Sequence, residues 1–342
     1  MKGKKVLLTG VTGFLGSHTT IQLLEKSYEV VGTLRDINRA ESIKSVIGKH
    51  TKNIQQLSFV EADLNNNEIW REIIKGVDYV MHIASPFPRV LPKDEADLIR
   101  PAKEGTLHIL KAAAANGVKR VVLTSSTGAI VYGKSKDHRS GIYNEKDWTD
   151  VSNKKDSTPY FRSKTIAEKA AWEFITQDDS GLELATICPG AILGPVLEKD
   201  FGTSANIVIK MLDGSSPAIP KIGFPIVDVR SVADLHIKAI ESDTAKNERF
   251  VAANGFLSFQ EIAAILRKAY PNRRIPKALL PDFAVRLYSN LDATLKPILL
   301  ELGVERKVDD SKARQLLNWQ PKSLEEAVLS CAESVLANGI IK

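Results

Sequence analysis

The chain has 342 residues, 43% hydrophobic and 26% charged, which is the balance of an ordinary globular protein with material for one large domain and a smaller lobe. Its 47 Lys and Arg against 41 Asp and Glu give a net charge of +6, but the basic residues are scattered, which argues against a nucleic-acid surface and suits an anionic small ligand. No apolar run approaches the roughly 18 residues of a membrane span, MKGKKVLL lacks a signal peptide's long apolar core, and Cys188 and Cys331 are too few and too far apart for a disulfide framework or a metal site, so a cytoplasmic setting without membrane partner or metal is expected.

Lys4 to Thr9 is a short apolar run that breaks at Gly10, Gly13 and Gly16, and a helical pattern begins at about Phe14. A strand, a tight turn and a helix in this order bring backbone N–H groups to the positive end of a helix dipole, where a pyrophosphate fits. A purely structural turn uses the same spacing. The phosphate cradle is favoured because a second apolar strand, Glu29 to Leu34, closes a βαβ unit of dinucleotide-binding length. Gly10, Thr12, Gly13, Phe14, Leu15 and Gly16 are the expected cradle residues.

The second strand runs into Arg35-Asp36-Ile37-Asn38-Arg39. An arginine here favours a 2′-phosphate on the adenine ribose, and Arg35 and Arg39 are both placed to reach one, so NADP(H) is expected over NAD(H). The alternatives are that Asp36 takes the ribose hydroxyls, or that all three residues form a solvated helix start.

Leu57 to Val60 reads as a third strand. Asp63 beyond it, beside Leu64, either meets the adenine edge or caps a helix from Asn65. Val77 to Ile83 is a fourth strand, nearly continuous in apolar residues as buried parallel strands are; His82 inside it reads as a satisfied core histidine in preference to a catalytic one. Its end delivers Ala84 and Ser85 toward the cofactor and Phe87 into a proline-bounded loop. Asp97 to Asn116 is a long helix stopped at Gly117, and Lys119 to Ser125 is a fifth strand. The hydroxyls of Ser125, Ser126 and Thr127 at its end either face a ligand there or simply begin a turn. This alternation predicts an α/β fold, a doubly wound parallel sheet of the Rossmann kind, with ligands at the carboxyl ends of the strands.

Gly133 to Ser157 is polar and basic and suits a surface loop. Thr158 is a good N-cap and Pro159 a good first helical residue, so the next helix runs to about Thr176 with Tyr160 and Lys164 on one face of its first turns.

Gly10, Gly13 and Gly16 in TGVTGFLG, Ser126 in TSSTG, and Tyr160 with Lys164 in YFRSK together resemble the extended short-chain dehydrogenase/reductase family, part of the NAD-dependent epimerase/dehydratase superfamily. HIASPFP (His82 to Pro88), PAKEGT (Pro101 to Thr106), NEKDW (Asn144 to Trp148), EKAAWEF (Glu168 to Phe174) and DVRSVAD (Asp228 to Asp234) are similar in order to its dihydroflavonol reductase, cinnamoyl-CoA reductase and methylglyoxal reductase branch. The resemblance implies reversible hydride transfer between NADPH and a carbonyl. Tyr160 is then the general acid, Lys164 eases ionisation of the phenol and bonds the nicotinamide ribose, and Ser126 holds the substrate oxygen with Ser125 as fallback. Two departures stand out. Cys188-Pro189 follows the sixth strand, LELATIC, where many extended members have Asn-Pro, so Pro189 is carried over as a nicotinamide contact without the side chain before it. The asparagine that supports the lysine in many short-chain reductases is lacking around Ala102, so a water or a backbone carbonyl has to replace it.

Residues 1–189 plus 228–253 are expected to form the NADP-binding domain, the latter segment returning to the sheet through a helix and the strand ERFVAA. Residues 190–227 plus 254–342, richer in Pro, Gly and apolar side chains, are expected to form a smaller substrate-binding lobe. Phe87, Phe201, Met211 and Phe224 are candidate pocket walls or, alternatively, lobe core. An apolar pocket implies a hydrophobic aldehyde or ketone as the small-molecule substrate. The competing readings are a sugar-nucleotide epimerase or dehydratase that retains NAD, and a redox-sensing regulator without turnover; the intact Tyr160 and Lys164 count against the second. The assembly is a monomer or a homodimer, the latter pairing the helices at 97–116 and 159–176.

Overall fold

Apolar runs bounded by glycine or polar turns become strands, and the amphipathic stretches between them become helices. The computed structural model describes residues 3–85, 94–198, 202–289 and 297–341. Its first part runs β1 (Lys5–Thr9), α1 (Phe14–Glu25), β2 (Glu29–Leu34), α2 (Ala40–Gly48), β3 (Leu57–Glu61), α3 (Asn67–Ile73), β4 (Tyr79–His82), α4 (Ala96–Ala115), β5 (Arg120–Thr124), β6 (Gly141–Tyr143), α5 (Pro159–Gln177) and β7 (Glu183–Pro189). The remainder runs β8 (Ala191–Leu193), α6 (Ala205–Leu212), β9 (Ile219–Pro220), β10 (Gly223–Asp228), α7 (Val229–Glu241), β11 (Glu248–Ala252), β12 (Phe256–Ser258), α8 (Phe259–Ala269), β13 (Leu279–Leu280), α9 (Asp282–Tyr288), β14 (Arg306–Val308), α10 (Ser311–Leu317) and α11 (Leu324–Ala337).

Seven parallel strands form the main sheet in the order β11-β7-β5-β4-β1-β2-β3. The order reverses between β1 and β4, so the loops leaving their carboxyl ends part there and open a crevice, the place where doubly wound sheets bind ligands. Core side chains sit on both faces of the sheet: Leu8, Tyr79 and Phe250 belong to one cluster, Leu7, Trp70 and Leu184 to the other. A further core, with Leu193, Val208, Ile226, Leu266 and Val328, joins β8, α6, β10, α8 and α11 into a smaller lobe. Ala313, Leu317 and Trp319, from the C-terminal stretch assigned to the lobe by sequence, instead pack in the core of the large sheet. Among the described residues no helix is long and apolar enough to cross a membrane.

Three local expectations change. The stretch 133–157 is not simply a surface loop. Its β6 pairs with β14 of the distant C-terminal segment, Thr149, Asp156 and Ser157 are buried, and Arg306 enters from that segment to pair with Asp156 at 2.6 Å. Asp63 does not cap a helix from Asn65: its carboxylate closes a turn on the Asn65 N–H at 2.8 Å, and α3 starts later, capped by Asn66. Met211 is buried in the lobe core and follows the core alternative, while Phe224 is half-buried against it and packs with Phe259 at a ring separation of 5.9 Å. Phe87 and Phe201 lie outside the described residues.

Three histidines are buried without charge. Desolvation pushes His18 to about 4, His82 to about 3 and His236 to about 4, with Lys164 adding to the effect at His82. Each titrates near 6.5 once unfolded, so between about pH 6.5 and 4 the unfolded chain binds more protons than the native one. The stability from these neutral rings is present above about pH 6.5 and is lost as pH falls, each contributing a slope of up to about 1.4 kcal/mol per pH unit. Urea titrations across that window are expected to show falling midpoints; constant midpoints would mean that the rings are solvated.

Candidate active site

The crevice begins at the first turn. Gly10 has φ +79°, a conformation that side-chain-bearing residues rarely adopt, and a Cβ on it would lie 3.0 Å from the Ala84 backbone after β4. A Cβ on Gly16 would lie 2.0 Å from the Gly10 carbonyl oxygen, so that glycine lets helix and turn pack together. A Cβ on Gly13 would meet only the Gly10 carbonyl oxygen, at 3.4 Å, which leaves room over the helix start. Among the described residues no side chain caps α1 and no acid stands in its first turn. A positive helix end with no acid in its first turn and an open glycine above it fits a pyrophosphate.

The floor of the crevice is fastened by Thr9. Its hydroxyl is 2.8 Å from His82 Nδ1 and accepts from the Ala84 N–H at 3.1 Å, so His82 is the satisfied core histidine the sequence suggests. At the end of β2 Arg35 is exposed, while Asp36 spends Oδ1 on the Asn38 backbone N–H at 3.0 Å and side-chain amide at 2.9 Å. Leu64, Ala84, Ser85 and Lys164 border one small cavity beneath the crevice, and Pro189 ends β7 close by in the sheet.

Ser126 and Tyr160 meet across the crevice. The Thr158 side chain caps α5 on the Phe161 N–H, Pro159 opens the first turn, and Tyr160 is thereby presented at the helix start. Its phenol is hydrogen-bonded to the Ser126 side chain, and the Ser126 oxygen accepts from the Gly128 N–H at 2.9 Å. Burial pushes the Tyr160 hydroxyl up to about 12, partly offset by the bond to Ser126, so it stands protonated near neutral pH. Phe161 fixes the neighbourhood: its ring stacks on Tyr132 at 3.7 Å and occupies the space a Cβ on Gly128 would need.

Lys164 lies one turn further along α5, is 7% exposed, and donates to the Thr124 carbonyl at 3.0 Å. The backbone carbonyl thus takes the place of the missing asparagine. Burial pulls the Lys164 ammonium down to about 8, against the opposing pull of Glu168 and then Cys188. Burial raises the Cys188 thiol to about 12, so near neutrality it is uncharged, and Glu168 is the effective anion. Ser125 does not serve as a fallback for Ser126, because its hydroxyl is committed to Glu168 Oε2 at 2.5 Å.

A family model described as the NAD dependent epimerase/dehydratase family matches residues 6–253. The chain belongs to that family. Within it, the chain is 30% identical to the cinnamoyl-CoA reductase CAD2 of Medicago truncatula, over 92% of this chain and 98% of the relative. It is 32% identical to tetraketide alpha-pyrone reductase 1 of Arabidopsis thaliana, over 98% and 97%. The crystal structure of yeast methylglyoxal/isovaleraldehyde reductase Gre2 complexed with NADPH superposes with a TM-score of 0.81 at 27% identity, covering 98% of this chain and all of that one. These family relatives span the whole fold, lobe included, so the resemblance extends beyond the motifs that end at Asp234.

Arg249 belongs to no motif of the chain, and Glu168 only opens EKAAWEF. The signal that would have found them is weak: an arginine inside a buried strand and a glutamate one turn beyond Lys164 on the same helix face.

Proposed function

We propose that this protein reduces a small-molecule carbonyl, a hydrophobic aldehyde or ketone, to the alcohol with NADPH, Tyr160 acting as general acid. The observation that carries the proposal is the meeting of a protonated phenol, a hydroxyl and a buried ammonium at the carboxyl end of β5, beside the glycine cradle. Relatives named as reductases and the NADPH of the Gre2 complex support it.

The cofactor is NADP(H), and when bound it supplies the hydride. Gly10, Thr12, Gly13, Phe14, Leu15 and Gly16 are assigned to its pyrophosphate, Arg35 and Arg39 to the 2′-phosphate, Leu64 and Asp63 to the adenine side, and Ala84, Ser85 and Pro189 to the inner part of the crevice. Asp36, exposed at the end of β2, holds Asn38 through Oδ1, and the assignment gives recognition of the ribose phosphate to the two cations beside it. Ser126 Oγ orients the carbonyl oxygen, and Tyr160 Oη holds the proton that oxygen takes. Lys164 stabilises the phenolate left behind.

The test is NADPH and NADH consumption with a panel of hydrophobic aldehydes and ketones. NADPH-preferring loss is expected. Arg35→Ala is expected to raise the KM for NADPH on the order of tenfold, the cost of one charge-assisted contact, while leaving that for NADH nearly unchanged. Tightly retained NAD with no net consumption of NADPH would overturn the proposal.

A further inference from the structure

Glu168 is 1% exposed and sits one turn beyond Lys164 on α5. Its carboxylate gathers donors from three neighbouring strands of the main sheet. Ser125 Oγ at the end of β5 donates at 2.5 Å, Thr186 Oγ1 of β7 at 2.8 Å, and Arg249 of β11 through Nε at 2.7 Å and Nη2 at 3.0 Å. Arg249 in turn donates to the Glu145 and Asp147 carbonyls at 2.9 and 2.6 Å, reaches the Ala129 carbonyl, and lies 3.7 Å over the Trp148 ring. Ala129 closes the short turn that begins after Ser126. One buried ion pair therefore touches the helix that carries Tyr160 and Lys164 and both sides of the segment that carries Ser126.

Resting on the reductase reading above, we propose that Glu168, held by Arg249, is the positioning residue of this site: it ties the Ser126 segment to α5 and supplies the negative charge that faces the Lys164 ammonium. Lys164 and Glu168 border the same small cavity, to which α4 contributes Ala102 and Thr106 and no titratable group. From β4, His82 faces Lys164 as a neutral ring, and from β7 Cys188 does so as a thiol. His236 of α7 is neutral behind Thr124, to whose hydroxyl it bonds at 2.7 Å, and Tyr160 is a neutral phenol. Burial alone raises a carboxyl, but Arg249, Ser125 and Thr186 keep Glu168 below its ordinary value, so it is charged wherever the enzyme works.

The charge on Lys164 is lost as pH rises through its native value of about 8, so the wild-type turnover is expected to fall on that alkaline limb. Glu168→Gln keeps the shape and removes the charge; the limb is expected to move down on the order of one pH unit, about a tenfold loss on its alkaline side. Glu168→Asp keeps the charge and is expected to leave the limb in place, even with a lower kcat. Because Glu168→Gln leaves Arg249 buried without its partner, the paired variant Glu168→Gln with Arg249→Met removes both charges and is expected to fold and to retain the lowered limb. Melting curves and NADPH affinity by fluorescence report folding and cofactor binding separately. A limb unmoved in a folded charge-free variant, or shifted equally by Glu168→Asp, overturns the proposal while leaving the reductase reading intact. A wild type that consumes no NADPH overturns that reading itself, and this proposal with it.

Discussion

Tyr160→Phe is expected to lower kcat by roughly 10²- to 10⁴-fold, the usual contribution of a positioned general acid, while NADPH affinity and melting temperature stay near wild type. The substitution removes one oxygen and keeps the ring. Its edge contact with Phe161, at 5.7 Å and 61°, survives, as do the Thr158 cap and the proline start that present the residue. Ser126 does not replace the lost proton donor. A serine hydroxyl is a far weaker acid, and the Ser126 oxygen is already engaged by the Gly128 N–H. With its hydroxyl raised to about 12, the native Tyr160 is in the donor form across the working range, so the loss is expected to be similar at every pH tested there. Stopped-flow and steady-state NADPH oxidation with one reactive aldehyde measure the effect; retention of most of the turnover would remove Tyr160 from the proton transfer.

Asp156→Ala is expected to be the most destabilising single change considered, costing about 3–5 kcal/mol through the charge it strands. Arg306 and Asp156 are 1% and 0% exposed, and Glu301, the other acid beside Arg306, is 3% exposed. Asp156 Oδ1 accepts from Arg306 Nη2 at 2.6 Å, and Oδ2 accepts from the Lys134 N–H at 2.8 Å and from Arg306 Nη1 at 3.2 Å. Its loss leaves Arg306 with Glu301 at 3.4 Å, a carboxyl whose burial pushes it up to about 6 and which therefore compensates poorly below that pH. The replacement is expected to lower the urea midpoint with little change in slope. Replacing Asp156 and Arg306 together with apolar residues is expected to recover only part of the loss, because the buried Glu301 then loses Arg306 and Arg139 loses Asp156. A midpoint within experimental error of wild type for the single change would mean that water already reaches this pair. The cluster also carries Tyr132 under the Arg306 guanidinium at 4.5 Å, and Tyr132 stacks on Phe161 beside Tyr160, the proposed general acid. Loss of Asp156 is thus expected to lower kcat as well as stability.

The parts of this protein legible in its sequence are those written over short distances along the chain. The five strands up to residue 124, the long helices at Ala96–Ala115 and Pro159–Gln177, and the turn glycines all follow from apolar runs, caps and breakers that act within a few residues. Tyr160 and Lys164 share a helix face by spacing alone. Sequence also foresaw His82 as a core residue, because it interrupts an otherwise apolar buried strand.

Tertiary structure decided what depends on pairing across the fold. Ser125 and Ser126 are adjacent hydroxyls with no local feature to rank them; the sheet turns one toward Glu168 and the other toward Tyr160. Glu168 and Arg249 are 81 residues apart, and Asp156 and Arg306 are 150 apart, so neither pair leaves a periodic trace in the chain. The same holds for β6 and β14, whose pairing buries a stretch that reads as a polar loop. A side chain's own chemistry sets which partners satisfy it, but burial sets whether it must have one, and burial is a property of the assembled fold. For that reason the glycine turn and the Tyr160–Lys164 pair can be read from residues in order, while the buried charges packed around them become visible only when the strands lie side by side.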